Sequence, residues 1–416
     1  MRVLIDYRPA LRARSGVGEY THQLVKALLA AYPLSGPASK TGSDLALTIF
    51  SSSWKDRLVP TPDLRGARAI DRRVPVRLLN FAWHRLGWPP VERLAGADFD
   101  VTHSLHPLLL PSRHAAQVIT IHDLDFLAHP ERTRAEIRRD YPDLVRDHAH
   151  RAARIVVPSQ FTAIEVERQL GVAAERIAIC PPGAPDWAAR AAPPSHGYIL
   201  FFSTLEPRKN VGGLLDAYER LIALAEHGPA KAGHYVRDGN IRNGNARNGD
   251  FPTGHQFSIP ELILAGKATD EASPWLQRIA RPPLAGRVRH IGYVEPGNRQ
   301  ALYAGARLLV MPSFEEGFGL PVLEAMTLGV PVVASNRGSL PEVIGDAGPL
   351  VNPDEPDEIA GAMARVLDDK AYRSACASKG VLRARQFNWP RTARLIYDVY
   401  RQAAADRQTG RGARTH

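Results

Sequence analysis

Short apolar runs recur along this chain, each followed by a stretch of helical periodicity, and the alternation is gone through twice. In the first half the runs are RVLIDY, LALTIF, FDVTHS, QVITIH, RIVVPS and RIAICPPG. Runs this short, separated by amphipathic helical stretches, predict the strands of βαβ units in a parallel sheet. After PPGAPDWAARAAPPSHG, rich in proline and alanine and without a period, the alternation restarts with YILFFST, ELILAGK, RVRHIGY, ARLLVMPS, VPVVAS and GPLVNP. That stretch, about 181 to 197, reads as an interdomain linker. A chain of 416 residues exceeds a usual single core, so two successive α/β units are expected. One segment breaks the pattern. Residues 227–258 are rich in Gly and Asn with almost no apolar period, and read as a disordered insertion of solvated filler.

Composition narrows the class. Hydrophobic content of 44% with 23% charged residues is that of a soluble globular protein. No stretch approaches the ~18 uninterrupted apolar residues of a membrane-spanning helix, and MRVLIDYRPA lacks a signal-peptide core. Cys180 and Cys376 imply no disulfide framework, read as buried small hydrophobes, and fit a reducing cytoplasm. The net charge of +10 favours an anionic partner. Residues 51–94 carry nine Lys/Arg against four Asp/Glu. There Val76, Leu79, Trp83 and Leu86 recur at helical spacing beside Arg77 and Arg85. Two readings are open. Such a helix, with Trp83 and Trp88, can lie peripherally on an anionic membrane; or it packs its apolar face into the core and shows its arginines to water. The second ranks slightly ahead.

Four places could carry chemistry. SGVGEYT sets Gly16 and Gly18 at a helix start, but Thr21 stands where a dinucleotide fingerprint has its third glycine. A tight turn explains these glycines equally well. In STLEPRKNVGGLL, Arg208 and Lys209 follow a strand at the mouth of the next helix, where a diphosphate would be neutralised. In TIHDLDFLAHP, His122 stands at the same edge of its sheet, able to donate to a sugar hydroxyl. Asp123 and Asp125 form a D-x-D, a pattern that can hold a metal with a diphosphate, or a simple turn. Finally, SFEEGFGLPVLEA opens a helix at Pro321 after Gly317 and Gly319, yet crowds Glu315, Glu316 and Glu324 there. Helix-start amides of Phe318, Gly319 and Leu320 suit phosphate, whereas carboxylates repel it and accept from vicinal hydroxyls. A ligand with both groups is a nucleotide sugar.

Glu316, seven intervening residues and Glu324 form an E-x7-E pattern. With PSFEEGFGLPVLEAMTLGVPVVAS around it, and with TLEPRKN, HIGYVE, GVGEYT and HDLDFLAHPE elsewhere, the chain resembles the retaining glycosyltransferases of family 4. TLEPRKN and WHRLGWPPVE look most like bacterial mannosyltransferases of O-antigen and exopolysaccharide assembly. The resemblance implies an α/β fold of the GT-B kind, two Rossmann-like domains facing a cleft. They would span residues 1–185 and 196–385, with a last helix over 386–405 crossing back to the first domain. It implies that Arg208 and Lys209 bind the donor diphosphate, with Gly317, Phe318, Gly319 and Leu320 alongside. Glu324 would hold the ribose and Glu316 the transferred hexose. His122 would sit by the reacting sugar, and Gly16 and Gly18 would close over the donor. Where many relatives carry an arginine before P-R-K this chain has Ser203 and Thr204, leaving more phosphate binding to Arg208 and Lys209. The expected donor is GDP-mannose and the acceptor a saccharide or a lipid-linked saccharide. No cofactor and no metal are expected, and the place is the cytoplasm or the inner face of the plasma membrane. A nucleotide-sugar epimerase and a nucleic-acid-binding protein stay open as alternatives; the E-x7-E pattern opposes the first. No helix-turn-helix, RNP-like or zinc-ligand pattern supports the second, so no nucleic-acid partner is expected.

Overall fold

The computed structural model describes residues 1–11, 14, 16–33, 45–59, 61–129, 135–227 and 258–410. The insertion expected over 227–258 lies almost wholly outside the described residues. The chain divides into two compact units, Met1–Gly183 together with Phe387–His416, and Ala184–Gln386. The stretch read as a linker is split at its third residue, and the residues after Gly183 are anchored to the second unit. There the Arg190 guanidinium donates to the carbonyls of Ala304, Ala306 and Gly329, at 3.1, 2.5 and 3.2 Å.

In the first unit seven strands form one parallel sheet: β1 (Arg2–Asp6), β2 (Ala46–Ser52), β3 (Arg68–Arg72), β4 (Val101–Ser104), β5 (Ala116–Thr120), β6 (Arg154–Val157) and β7 (Ile177–Ile179). Their order is β3-β2-β1-β4-β5-β6-β7. Central strands are apolar on both faces because helices cover both. Val3 and Ile5 pack under Leu24 and Leu28 of the helix Val17–Ala31 and under Ile396 and Tyr400 of the helix Trp389–Gln408. Leu4 and Phe50 pack on the other side with Leu79 and Trp83. β3 was not expected from the sequence: RAIDR has one buried residue, Ile70, and sits at the sheet edge where charge is tolerated. His103 in β4 is fully buried, 2.7 Å from the Tyr400 hydroxyl and 2.8 Å from the Thr120 hydroxyl. Burial, helped by His122 and His106, pushes its pKa down to about 3, so a neutral ring ties the last helix to the sheet.

The second unit holds β8 (Tyr198–Phe202), β9 (Leu262–Ala265), β10 (Val288–Gly292), β11 (Ala306–Met311), β12 (Val332–Ser335) and β13 (Leu350–Val351). They too are parallel, in the order β10-β9-β8-β11-β12-β13. Both sheets therefore reverse their strand order once, between β1 and β4 and between β8 and β11. The crevice beyond the strand ends at such a reversal is where open α/β sheets bind ligands. No helix among the described residues is long and apolar enough to cross a membrane.

At the first reversal the loops after β1 and β4 are joined by charge. Asp6 is fully buried, and Arg8 grips it with Nε at 2.8 Å from Oδ1 and Nη2 at 2.6 Å from Oδ2. His106 Nε2 approaches Oδ2 to 3.1 Å. Burial alone would raise the Asp6 carboxyl; Arg8, then His106, outweigh it and hold it well below the ordinary carboxylate range. A depressed folded pKa gives stability that is present above the unfolded value and lost as pH falls below it. Asp6→Asn should therefore cost the first unit about 3 kcal/mol near neutrality, since it leaves a guanidinium buried without its charge partner. Urea unfolding across pH should show that difference constant above about pH 5 and shrinking in acid.

Candidate functional site

Beyond β8 the chain makes a turn, Pro207–Lys209, and then enters the helix Val211–His227 through Asn210 at φ 56°. Asparagine tolerates this left-handed conformation, and its side chain fixes it. Nδ2 donates to the Pro353 carbonyl at 2.6 Å and Oδ1 accepts from the Gly213 amide at 3.2 Å. Beyond β11 the loop returns beside this turn, and the Phe314 amide donates to the Arg208 carbonyl at 2.9 Å. Two residues on, the side chains meet. Lys209 Nζ donates to Glu316 Oε1 at 2.6 Å, and Ser313 Oγ donates to the same oxygen at 2.9 Å. Lys209 and Glu316 are 5% and 7% exposed, so this is a buried ion pair supported by a second hydrogen bond, from Ser313.

The backbone of Glu316 is held as firmly. Its carbonyl accepts from the Ser339 amide at 3.1 Å and the Ser339 hydroxyl at 2.9 Å. Gly338, at φ 63°, lies so close that a Cβ there would stand 2.8 Å from the Glu316 nitrogen. Next the helix Leu320–Thr327 opens at Gly319, φ 96°, with Pro321 in its first turn. Glu324 on this helix is buried, and Arg299 Nη1 lies 3.6 Å from its Oε1. Arg299 is itself 5% exposed. One turn on from it, the wholly buried Tyr303 has its pKa pushed well up, by burial first and by the Glu324 charge second.

Each expected carboxylate thus has its own cation. Lys209 and Glu316, assigned by the resemblance to diphosphate and hexose, are brought together as one pair. Arg208 is also engaged, its Nε donating to Glu206 Oε1 at 2.6 Å. Pairing answers how Glu316 and Glu324 can stand at a helix start suited to phosphate: their charge is balanced by cations brought in from other elements, Lys209 after β8 and Arg299 from the helix Pro296–Ala304. Sequence reasoning missed Arg299, Tyr303, Ser313 and Ser339. The i, i+4 spacing of Arg299 and Tyr303 in PGNRQALYA was the one signal, and it says nothing about burial.

Gly16, Gly18 and His122 belong to the first unit. Gly16, at φ 50°, precedes the helix Val17–Ala31, and a Cβ on Gly18 would stand 2.7 Å from the Pro9 carbonyl oxygen. The close approach gives Gly18 a packing role. His122, just after β5, has Nε2 3.2 Å from the Leu105 carbonyl and lies edge-on to Tyr20 at 5.0 Å. Burial lowers its pKa to about 4, so the imidazole is neutral at physiological pH.

The model of "Glycosyltransferase Family 4" matches residues 14–186, and that of "Glycosyl transferases group 1" matches residues 255–369. This chain is a glycosyltransferase, its first half matched by family 4. As a glycosyltransferase it is 29% identical to the O-antigen chain mannosyltransferase B of Escherichia coli, over 96% of this chain and 100% of that one. Sucrose-phosphate synthase of Thermosynechococcus elongatus shares its fold, with a TM-score of 0.72 at 19% identity over 97% of this chain and 99% of that one. HepE of Anabaena, solved with UDP and glucose, gives a TM-score of 0.63 at 17% identity over 96% and 98% of the two chains. The fold is GT-B, built of two Rossmann-like units.

The ion pair makes a specific prediction for this glycosyltransferase. Lys209→Met should destabilise the second unit by about 3–5 kcal/mol, because Glu316 keeps a buried charge without its partner. Lys209→Met with Glu316→Gln should recover much of that loss. Urea unfolding of both single variants and the double variant gives the coupling directly.

Proposed function

We propose that this glycosyltransferase moves mannose from GDP-mannose, with retention at the anomeric carbon, onto a saccharide or lipid-linked saccharide of a cell-surface polysaccharide. It would work at the cytoplasmic surface of a membrane carrying anionic lipid. The observation that carries the reading is that both carboxylates of the E-x7-E pattern are buried, each beside its own cation. The likeness to the O-antigen chain mannosyltransferase of Escherichia coli supports mannose and an O-antigen-like product.

In this reading Glu324, steadied by Arg299, accepts from the ribose hydroxyls. The leaving diphosphate is stabilised by Lys209, Arg208 and the amides from Gly317 to Leu320, where negative charge grows in the transition state. As the diphosphate draws on Lys209, Glu316 regains acceptor capacity for the hexose hydroxyls, beside a centre of oxocarbenium character. Glu316 orients; no enzyme nucleophile is assigned. The sugar-contacting role of neutral His122 and the donor-closing role of Gly16 and Gly18 belong to the same proposal, as does chemistry without a divalent metal.

Incubation with a panel of nucleotide sugars, followed by mass spectrometry of the released nucleotide, should give turnover with GDP-mannose that EDTA does not abolish. Preference for a UDP-sugar would overturn the donor. Glu324→Gln should weaken GDP binding by about 1.5–3 kcal/mol, from two degraded charge-assisted bonds. Glu316→Gln should lower turnover while GDP binds as well or better, since Lys209 loses its rival. Calorimetry beside the turnover assay checks both halves.

A further inference from the structure

The helix Val76–Leu86 is apolar on two sides. Leu79 and Trp83 enter the core, both 2% exposed, as the sequence led one to expect. Val76 and Leu86, expected beside them, are exposed instead. At 100° per residue, Leu78, Phe81 and Arg85 fall on the face opposite Leu79 and Trp83. Leu78 and Phe81 are 60% and 59% exposed, and Trp88, just past the helix end, is 54% exposed. Exposed Arg77 falls on the same face of the helix, and the Arg93 guanidinium stands 5.7 Å over the Trp88 ring. A large apolar face rimmed by arginines and one interfacial tryptophan is complementary to an anionic bilayer, not to water.

Beside the same helix end lies a cavity of about 340 Å³, in the size range of small-ligand pockets. Its lining includes Arg85 and Arg151, His84 and His148, Ser112 and Asp147. Arg151 Nη1 bonds Asp147 Oδ2 at 2.7 Å, so the cavity keeps a net positive charge from its two arginines. Trp83 forms another part of the wall and also lies 4.7 Å beneath Arg8, which places the cavity next to the strand-order reversal between β1 and β4. The charge is positive, and the exposed Leu86 and Trp88 are the chain neighbours of the lining residue Gly87.

We infer that this cavity takes the phosphate headgroup of an anionic membrane lipid while Leu78, Phe81, Leu86 and Trp88 enter the acyl boundary. The inference rests on the membrane contact proposed above and gives it a headgroup site. Arg85 and Arg151 hold the phosphate oxygens; the Ser112 hydroxyl in the wall is already given to Glu92 Oε1. Asp147 opposes binding and sets its strength.

Flotation of the full chain with vesicles tests this without using glycosyl transfer. Binding is expected to phosphatidylcholine vesicles containing phosphatidylglycerol and not to phosphatidylcholine alone, falling as salt rises. Each arginine near an anionic surface is worth roughly fivefold in affinity, so Arg85→Gln with Arg151→Gln should weaken binding by about 25-fold. Leu78→Ser with Phe81→Ser should weaken it at least tenfold, by roughly the loss of two apolar anchors. Asp147→Asn should strengthen it about fivefold, a gain that misfolding cannot imitate. Equal binding to both vesicle types, or anionic binding untouched by the arginine pair, would overturn the headgroup site. Displacement by millimolar inorganic phosphate would mark the cavity as a soluble-phosphate site and overturn the lipid assignment. Absence of all vesicle binding would remove the membrane contact with it, leaving the donor assays to stand on their own.

Discussion

Lys209 and Glu316 are separated by 107 positions in sequence and by 2.6 Å in space. A buried ion pair costs desolvation on both sides, and it holds only when geometry is good and the remaining acceptor capacity is used. Here Ser313 shares the carboxylate oxygen and Ser339 holds the backbone of the same residue. The pair joins the loops that follow β8 and β11, the strands flanking the reversal. Everything after it in the chain inherits that placement: the left-handed Gly319, the helix start at Leu320, and through that helix the position of Glu324 against Arg299.

The first unit meets the same problem with different residues. Its reversal is also spanned by charge, from Asp6 and Arg8 after β1 to His106 after β4. The polarity differs. In the first unit the carboxylate ends the strand and the cation follows it closely, with Arg8 also bonding Asn80 at 2.8 Å. In the second the cation comes from one loop and the carboxylate from the other. Two sheets of like strand order have thus arrived at separate ways of fixing a pair of neighbouring loops.

Strands were legible wherever a parallel sheet buries both faces, because such strands must be apolar along their length; RVLIDY and ARLLVMPS could hardly be anything else. β3 was illegible for the converse reason, since an edge strand needs only Ile70. The E-x7-E pattern was legible as a local motif, and its partners were not. Whether Arg299 faces water or Glu324 depends on how the helix Pro296–Ala304 packs, which its own residues do not state. The helix Val76–Leu86 shows the limit most plainly. Its helical spacing picked out Leu79 and Trp83 for the core, but the same spacing placed Val76 and Leu86 there as well, and passed over the exposed Leu78 and Phe81. Periodicity finds an apolar stripe; it does not say how many stripes a helix carries.

The first unit is not continuous in sequence: residues 184–386 form the second unit and stand between its two parts. The helix Trp389–Gln408 supplies Ala393, Ile396, Val399 and Tyr400 to a core otherwise made of residues before Gly183. On the ribosome, where domains fold as they emerge, the order of completion is therefore reversed relative to the order of translation. The first unit begins first and must wait, its sheet face bare beside Val3 and Ile5, until the helix Trp389–Gln408 has been added. The second unit can finish in the meantime. Through the two hundred or so residues that separate its two parts, the first unit of a nascent chain carries an uncovered apolar face, a consequence of the position of one helix.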